Sequence, residues 1–296
     1  MKKIFFQIIT LLFVMIISSC SKDEAVINNV DDDCVTVCFC VSGLNITQEK
    51  TTRANTIQDA FPMLDLVLYT INNDGSYTKY KECSQTNTSS SYGVVTFENV
   101  KCGTYKLVAI GHNDSTHPSM EDPENIAFSK YVYLYGHTAD VTITKTSTSI
   151  DVPFVHKSAK IDFEFNGYIP DEVEKIQFSI DGASNVYNAI TGLAASTTNR
   201  VAAINVSKAE RDAKKVTTYT YTLLTQDEIN SANSYVNITI AGLNASNQEI
   251  DPKTYNHIPL KIGYTTKLAG VFFDYNNLSF NMTVNKDWGS YETVEL

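Results

Sequence analysis

Trp288 is the single tryptophan in 296 residues, and histidine is nearly as scarce, with 5 copies. One tryptophan cannot supply the clustered indole platform of many sugar-binding surfaces. The histidines, His112, His117, His137, His156 and His257, form no His-Glu-x-x-His pair, and no Gly-x-Ser-x-Gly elbow supplies a nucleophile. No catalytic residue, cofactor or metal-ligand set is therefore expected, and the chain is read as a non-enzyme. Basic side chains are also few, 23 Lys and Arg against 33 Asp and Glu. They form no cluster, which excludes nucleic acid as a partner. The apolar run Ile4 to Ile17 is broken by Gln7 and Thr10. It falls short of the roughly 18 apolar residues a membrane-spanning helix needs.

What that run does build is a secretory signal: Lys2 and Lys3, the apolar segment, the small residues Ser18 and Ser19, then Cys20. Cleavage between Ser19 and Cys20 places the thiol where bacterial lipoproteins carry their thioether-linked lipid. Residues 1–19 are thus read as a lipoprotein signal peptide and 20–33 as a lipidated, acidic, hydrated tether ending in Asp31, Asp32 and Asp33. Ser21-Lys22-Asp23-Glu24 resembles the surface-export signal of Bacteroidetes-type lipoproteins. Removing the signal takes Lys2 and Lys3 with it, leaving 21 basic and 33 acidic side chains, a net charge of −12.

Setting Cys20 aside leaves Cys34, Cys38, Cys40, Cys83 and Cys102, an odd number, so at least one thiol has no partner within the chain. In an extended Cys34 to Val41 the cysteines share one face, and Val35, Val37, Phe39 and Val41 share the other. That pattern reads as a strand with small half-buried thiols in preference to a zinc site, which usually wants two Cys-x-x-Cys-like knuckles. A Cys83–Cys102 disulfide is compatible with an oxidising compartment.

The 17 tyrosines and 14 phenylalanines, with frequent Thr, Val and Ile, favour strands. Leu64–Ile71, a turn at Asn72-Asn73-Asp74-Gly75 and Ser76–Lys81 predict a β-hairpin. Calcium binding at that turn is the weaker alternative, because an EF-hand loop is longer and lies between helices. Further strands are expected at 94–100, 103–110, 131–135, 141–144 and 150–155. A second set is expected at 161–165, 175–180, 201–206, 219–224, 236–240, 266–273 and 278–284. Two short helices are expected, at about 207–215 and 225–232, each opened by a capping box. Pro153 to Lys157 reads as a boundary, giving one β-sandwich over 34–155 and another over 156–296. His112-Asn113-Asp114-Ser115-Thr116-His117, with Glu121, Asp122 and Glu124, is read as a solvated polar loop, a metal site being the alternative. Trp288 is expected to be a core or edge anchor.

The early strand followed by Thr51-Thr52-Arg53-Ala54, the Leu66–Gly75 hairpin and the stretch Val100–Ala109 together resemble the Bacteroidetes-type fimbrial subunits, the fimbrillin-like and minor-fimbrial-anchor lipoproteins. His156–Ile161, Ile258–Gly270 and Trp288-Gly289 are similar to their second halves. The resemblance implies an all-β fold of two transthyretin-like (Ig-like) β-sandwich domains in tandem. It implies a surface-exposed, lipid-anchored outer-membrane protein of the fimbrium, and the eight residues after Trp288 leave little surplus for a long donor strand, which favours an anchor or tip subunit over a stalk subunit. Its implied partners are other fimbrial subunits, engaged by strand exchange, the outer membrane through Cys20, and a host protein or glycan. It also implies proteolysis between Arg53 and Ala54, which would release the strand at 35–41; an ordinary loop arginine is the equal alternative. Asp114-Ser115-Thr116 fits a short O-glycosylation motif. The competing function is a lipid-anchored glycan-binding protein of a nutrient-uptake system, for which Tyr131, Tyr133 and Tyr135 are the candidate contacts.

Overall fold

A computed structural model describes residues 33–42, 61–225, 235–273, 280–286 and 292–294. Strand β2 (Met63–Ile71) shows how the first half is built: it is buried on both faces along most of its length. Leu64, Leu66 and Leu68 enter one apolar cluster with Val37, Phe39, Phe97, Leu107 and Phe154. The intervening Val67 and Tyr69 enter another, with Val108, Ile110, Met120, Phe128 and Leu134. Strand β5 (Gly103–His112) divides in the same way, with Leu107 and Ala109 on one side and Val108 and Ile110 on the other. Both strands therefore read as continuous apolar runs, the signature of a sheet covered on both faces.

That sheet has the order β3-β2-β5-β7-β9, with β3 (Tyr77–Thr86), β7 (Leu134–Ile143) and β9 (Val155–His156). Facing it across the first cluster is a three-stranded sheet, β4-β1-β8, made of β4 (Val94–Lys101), β1 (Cys34–Ser42) and β8 (Ser149–Pro153). The β2–β3 turn forms as expected: Gly75 N–H donates to Asn72 O at 3.0 Å, and Gly75 takes φ +84°, a left-handed conformation that suits glycine. Asp74 accepts from Ser76 N–H, so its carboxylate closes the turn.

Two further sheets surround a separate cluster of Ile161, Phe163, Phe165, Ile176, Phe178, Ile240 and Phe272. One has the order β15-β10-β18-β19-β20: β15 (Lys215–Thr222), β10 (Ala159–Asn166), β18 (Tyr264–Val271), β19 (Phe280–Lys286) and β20 (Glu292–Val294). The other is β14-β11-β16-β17: β14 (Thr198–Asn205), β11 (Lys175–Ala183), β16 (Tyr235–Leu243) and β17 (Glu249–Pro259). β10 alternates buried and half-buried along its whole length, the period-two pattern its sequence predicts. Helix α1 (Lys208–Ala213) starts at Ser207, whose side chain accepts from Glu210 N–H in a complete capping box. The helix expected at 225–232 lies outside the described residues.

A small sheet joins segments far apart in sequence. β6 (Ile126–Ala127) pairs antiparallel with β12 (Val186–Asn188), which in turn pairs with β13 (Leu193–Ala194). Tyr187, Ala189 and Leu223 accordingly belong to the same apolar cluster as Val67 and Tyr69.

Candidate functional site

Of the residues singled out by sequence, Ser19, Cys20, Arg53, Ala54 and Trp288 lie outside the described residues. The strand Arg53 would release is described. β1 is the middle strand of its sheet, parallel to β8 from Cys38↔Ser149 to Ser42↔Pro153. Cys38 N–H donates to Thr148 O at 3.0 Å, and Val41 N–H donates to Gly93 O at 2.8 Å. Val37, Phe39 and Val41 are buried, whereas Cys38 and Cys40 are partly exposed. Cys83 and Cys102 are free thiols, so the bridge between them is not formed.

The loop after β5 is solvated over most of its length, as its polarity predicts, with Ser115, Thr116, Ser119, Glu121, Asp122 and Glu124 exposed, but its start is not. Asp65 and His112 are both 0% exposed, and Asp114 is buried as well. Asp65 shares the β2 face of Val67 and Tyr69, and the register sets it opposite Ile110, two residues from His112 on the same face of β5. Asp114 N–H donates to His112 Nδ1 at 3.1 Å, which puts the ring proton on Nε2. Nε2–H then donates to Asp65 Oδ2 at 2.9 Å, and Ser84 Oγ donates to Asp65 Oδ1 at 2.5 Å. Asp114 in turn accepts from the backbone N–H groups of Ser115 and Ser129, both at 2.7 Å. The Ser129 hydroxyl also donates to it. These donors hold the Asp114 carboxyl below its usual range against the opposing effect of burial. Ser115 and Thr116, the glycosylation motif, are exposed.

His117 Nδ1 lies 2.8 Å from Asp65 Oδ1. It is off the line of a hydrogen bond, and that nitrogen is buried without a hydrogen-bond partner. Ligand atoms of Asp65, His112 and His117 all lie within 4.8 Å of one another, the compactness a metal site requires. The donor set does not fit one. A cation on His112 Nε2 would move the ring proton to Nδ1, against the N–H of Asp114, whereas ligating histidines donate from their second nitrogen. The cluster is a hydrogen-bonded pin that ties the loop to β2.

Tyr131, Tyr133 and Tyr135 do not form one strand. Tyr131 and Tyr133 precede β7, and all three rings are engaged by residues distant in sequence. The Arg200 guanidinium stacks 4.1 Å from the Tyr131 ring centre and donates to Tyr221 O at 3.2 Å. Tyr133 lies between Tyr135 and Tyr221, at 5.1 and 5.6 Å between ring centres. Tyr135 Oη is 2.8 Å from His156 Nε2. Burial raises the pKa of Tyr133 and Tyr135 and lowers that of His156 to about 4.

His156 is therefore neutral in the folded chain at pH values where the unfolded chain, with an ordinary value of about 6.5, is already protonated. Its contribution to stability is complete above pH 6.5 and is lost as pH falls through the folded value of about 4. The loss approaches roughly 3 kcal/mol. Urea midpoints of wild type and His156→Phe should converge between pH 7 and pH 4 as the wild type loses this term. A constant gap across that range would disprove it.

No family model matches the chain, and no curated protein matches it. Among solved structures it resembles two candidate adhesins from Bacteroides ovatus. One aligns with a TM-score of 0.50 at 15% identity, covering 80% of this chain and 88% of that one. The other aligns with a TM-score of 0.50 at 9% identity, covering 88% of this chain and 96% of its own. The chain shares their fold.

Sequence reasoning missed Asp65 and Arg200. The signal for Asp65 was present: it is the one acid inside the apolar run Leu64–Ile71.

Proposed function

We propose that this protein is a lipid-anchored subunit of a surface fimbrium, of anchor or tip type, that assembles by strand exchange and supports adhesion. The observation that carries the reading is the position of β1: a strand bearing Val37, Phe39 and Val41, in the middle of the sheet β4-β1-β8, just upstream of Arg53. Cleavage after Arg53 would leave β4 and β8 without their shared neighbour. The result is a row of bare backbone donors and acceptors beside an apolar groove, which a strand from another subunit satisfies. In an anchor subunit β1 and the lipid on Cys20 are both retained. The two candidate adhesins of like fold support the adhesive role. On this reading the chain comprises two sandwich domains, 34–155 and 156–296. The glycan-platform alternative is weakened because Tyr131, Tyr133 and Tyr135 are committed to packing.

The mature N-terminus on cells tests the proposal. Lipid on Cys20 in material that co-purifies with fimbriae is expected for an anchor. A terminus at Ala54, with a ladder of detergent-resistant oligomers that Arg53→Gln abolishes, is expected for a processed subunit. A monomer uncut at Arg53, unlipidated and absent from fimbriae overturns it.

A further inference from the structure

We propose that Cys38 and Cys40 form a dithiolate site for a tetrahedral thiophilic cation of the Zn2+ class. The two side chains project from the outward face of β1, and their sulfurs are 3.7 Å apart. Two Zn–S bonds of about 2.3 Å, opened to a tetrahedral angle, hold their sulfurs about 3.8 Å apart. The pair therefore stands at the separation the metal requires before it binds. A linear dithiolate would hold its sulfurs at twice the bond length, well beyond 3.7 Å.

The competing fate of two adjacent thiols is a disulfide, and the strand opposes it. Residues i and i+2 of an extended strand are about 6.6 Å apart, with side chains standing side by side. A disulfide wants Cβ atoms about 3.8 Å apart. The backbone cannot pinch to supply that, because β1 is hydrogen-bonded on one side to Thr148 and on the other to Gly93.

The surroundings suit a cation. Cys40 Sγ lies 3.7 Å from Ser149 Oγ, and the parallel register sets the exposed Asp151 beside Cys40 on the same outward face. Both cysteines are partly exposed, on the side of β1 away from the core. Binding exchanges two S–H protons for two Zn–S bonds, releases both protons to solvent and changes no oxidation state. Water completes the coordination, which makes this an open site that persists only while β1 occupies its sheet.

Titrating the full-length chain, held reduced, with Co2+ or Cd2+ as spectroscopic stand-ins for Zn2+ tests the assignment. One equivalent should give a sulfur-to-metal charge-transfer band that Zn2+ displaces. Cys38→Ser and Cys40→Ser should each weaken binding at least tenfold, whereas Cys83→Ser and Cys102→Ser leave it unchanged. In the unsubstituted chain, Zn2+ should slow alkylation of Cys38 and Cys40, followed by peptide mass spectrometry, and leave that of Cys83 and Cys102 unaffected. This second measurement stands even if a serine variant fails to fold. Absence of the band, or its survival in Cys40→Ser, overturns the proposal, as does equal alkylation with and without Zn2+.

Discussion

Replacing Asp65 with alanine will destabilise the folded chain by about 1–3 kcal/mol, the usual cost of leaving a buried donor without its acceptor. The carboxylate is fully buried and accepts from Ser84 Oγ and His112 Nε2. Its loss leaves the Nε2–H of an equally buried ring without an acceptor, and the desolvation of that group is then uncompensated. The damage spreads, because His112 also accepts from Asp114 N–H, and Asp114 fixes Ser115 and Ser129. Asp65→Asn keeps the volume and one acceptor oxygen, so it should cost less than the alanine variant. Equilibrium urea unfolding measures both. A loss below about 1 kcal/mol for Asp65→Ala would show that the cluster is not the anchor of the loop.

Phe39→Ala is the second large loss, about 3–5 kcal/mol, the range for emptying a buried phenylalanine site. Phe39 is 0% exposed and meets Phe97 of β4 edge to face, with ring centres 5.7 Å apart. β1 is hydrogen-bonded on both sides, so the backbone cannot move in to fill the space. Cys38→Ala, on the outward face of the same strand, should cost under about 1 kcal/mol. The contrast between neighbouring positions is the test: similar losses at Cys38 and Phe39 would mean that β1 is not held through its inward face.

β1 and β10 were legible because one face of each looks outward and the other into a core, which writes a period of two into the sequence. β17 was missed because Pro252 and the polar residues around it argue against a strand. Proline is tolerated there because β17 is the edge of its sheet, where one row of N–H groups has no ladder partner to lose. β6, β12 and β13 are too short to carry any periodicity. The polar cluster was half legible. The stretch from His112 to His117 stood out as a polar loop, but the burial of His112 is matched by an acid 47 residues earlier, a contact no local pattern encodes. The same holds for the tyrosines at 131–135: their spacing suggested a strand, and Arg200 and Tyr221 claim two of the rings instead.

The sheet β3-β2-β5-β7-β9 is a party wall. Leu66 furnishes the room on one side and Val67 the room on the other, and the second room is completed by Tyr187 and Leu223 from the later part of the chain. A segment ending near residue 155, made without Tyr187 and Leu223, would present Val67, Tyr69, Val108 and Ile110 with part of their cover missing. The two parts are therefore poor candidates for exchange or shuffling as separate modules.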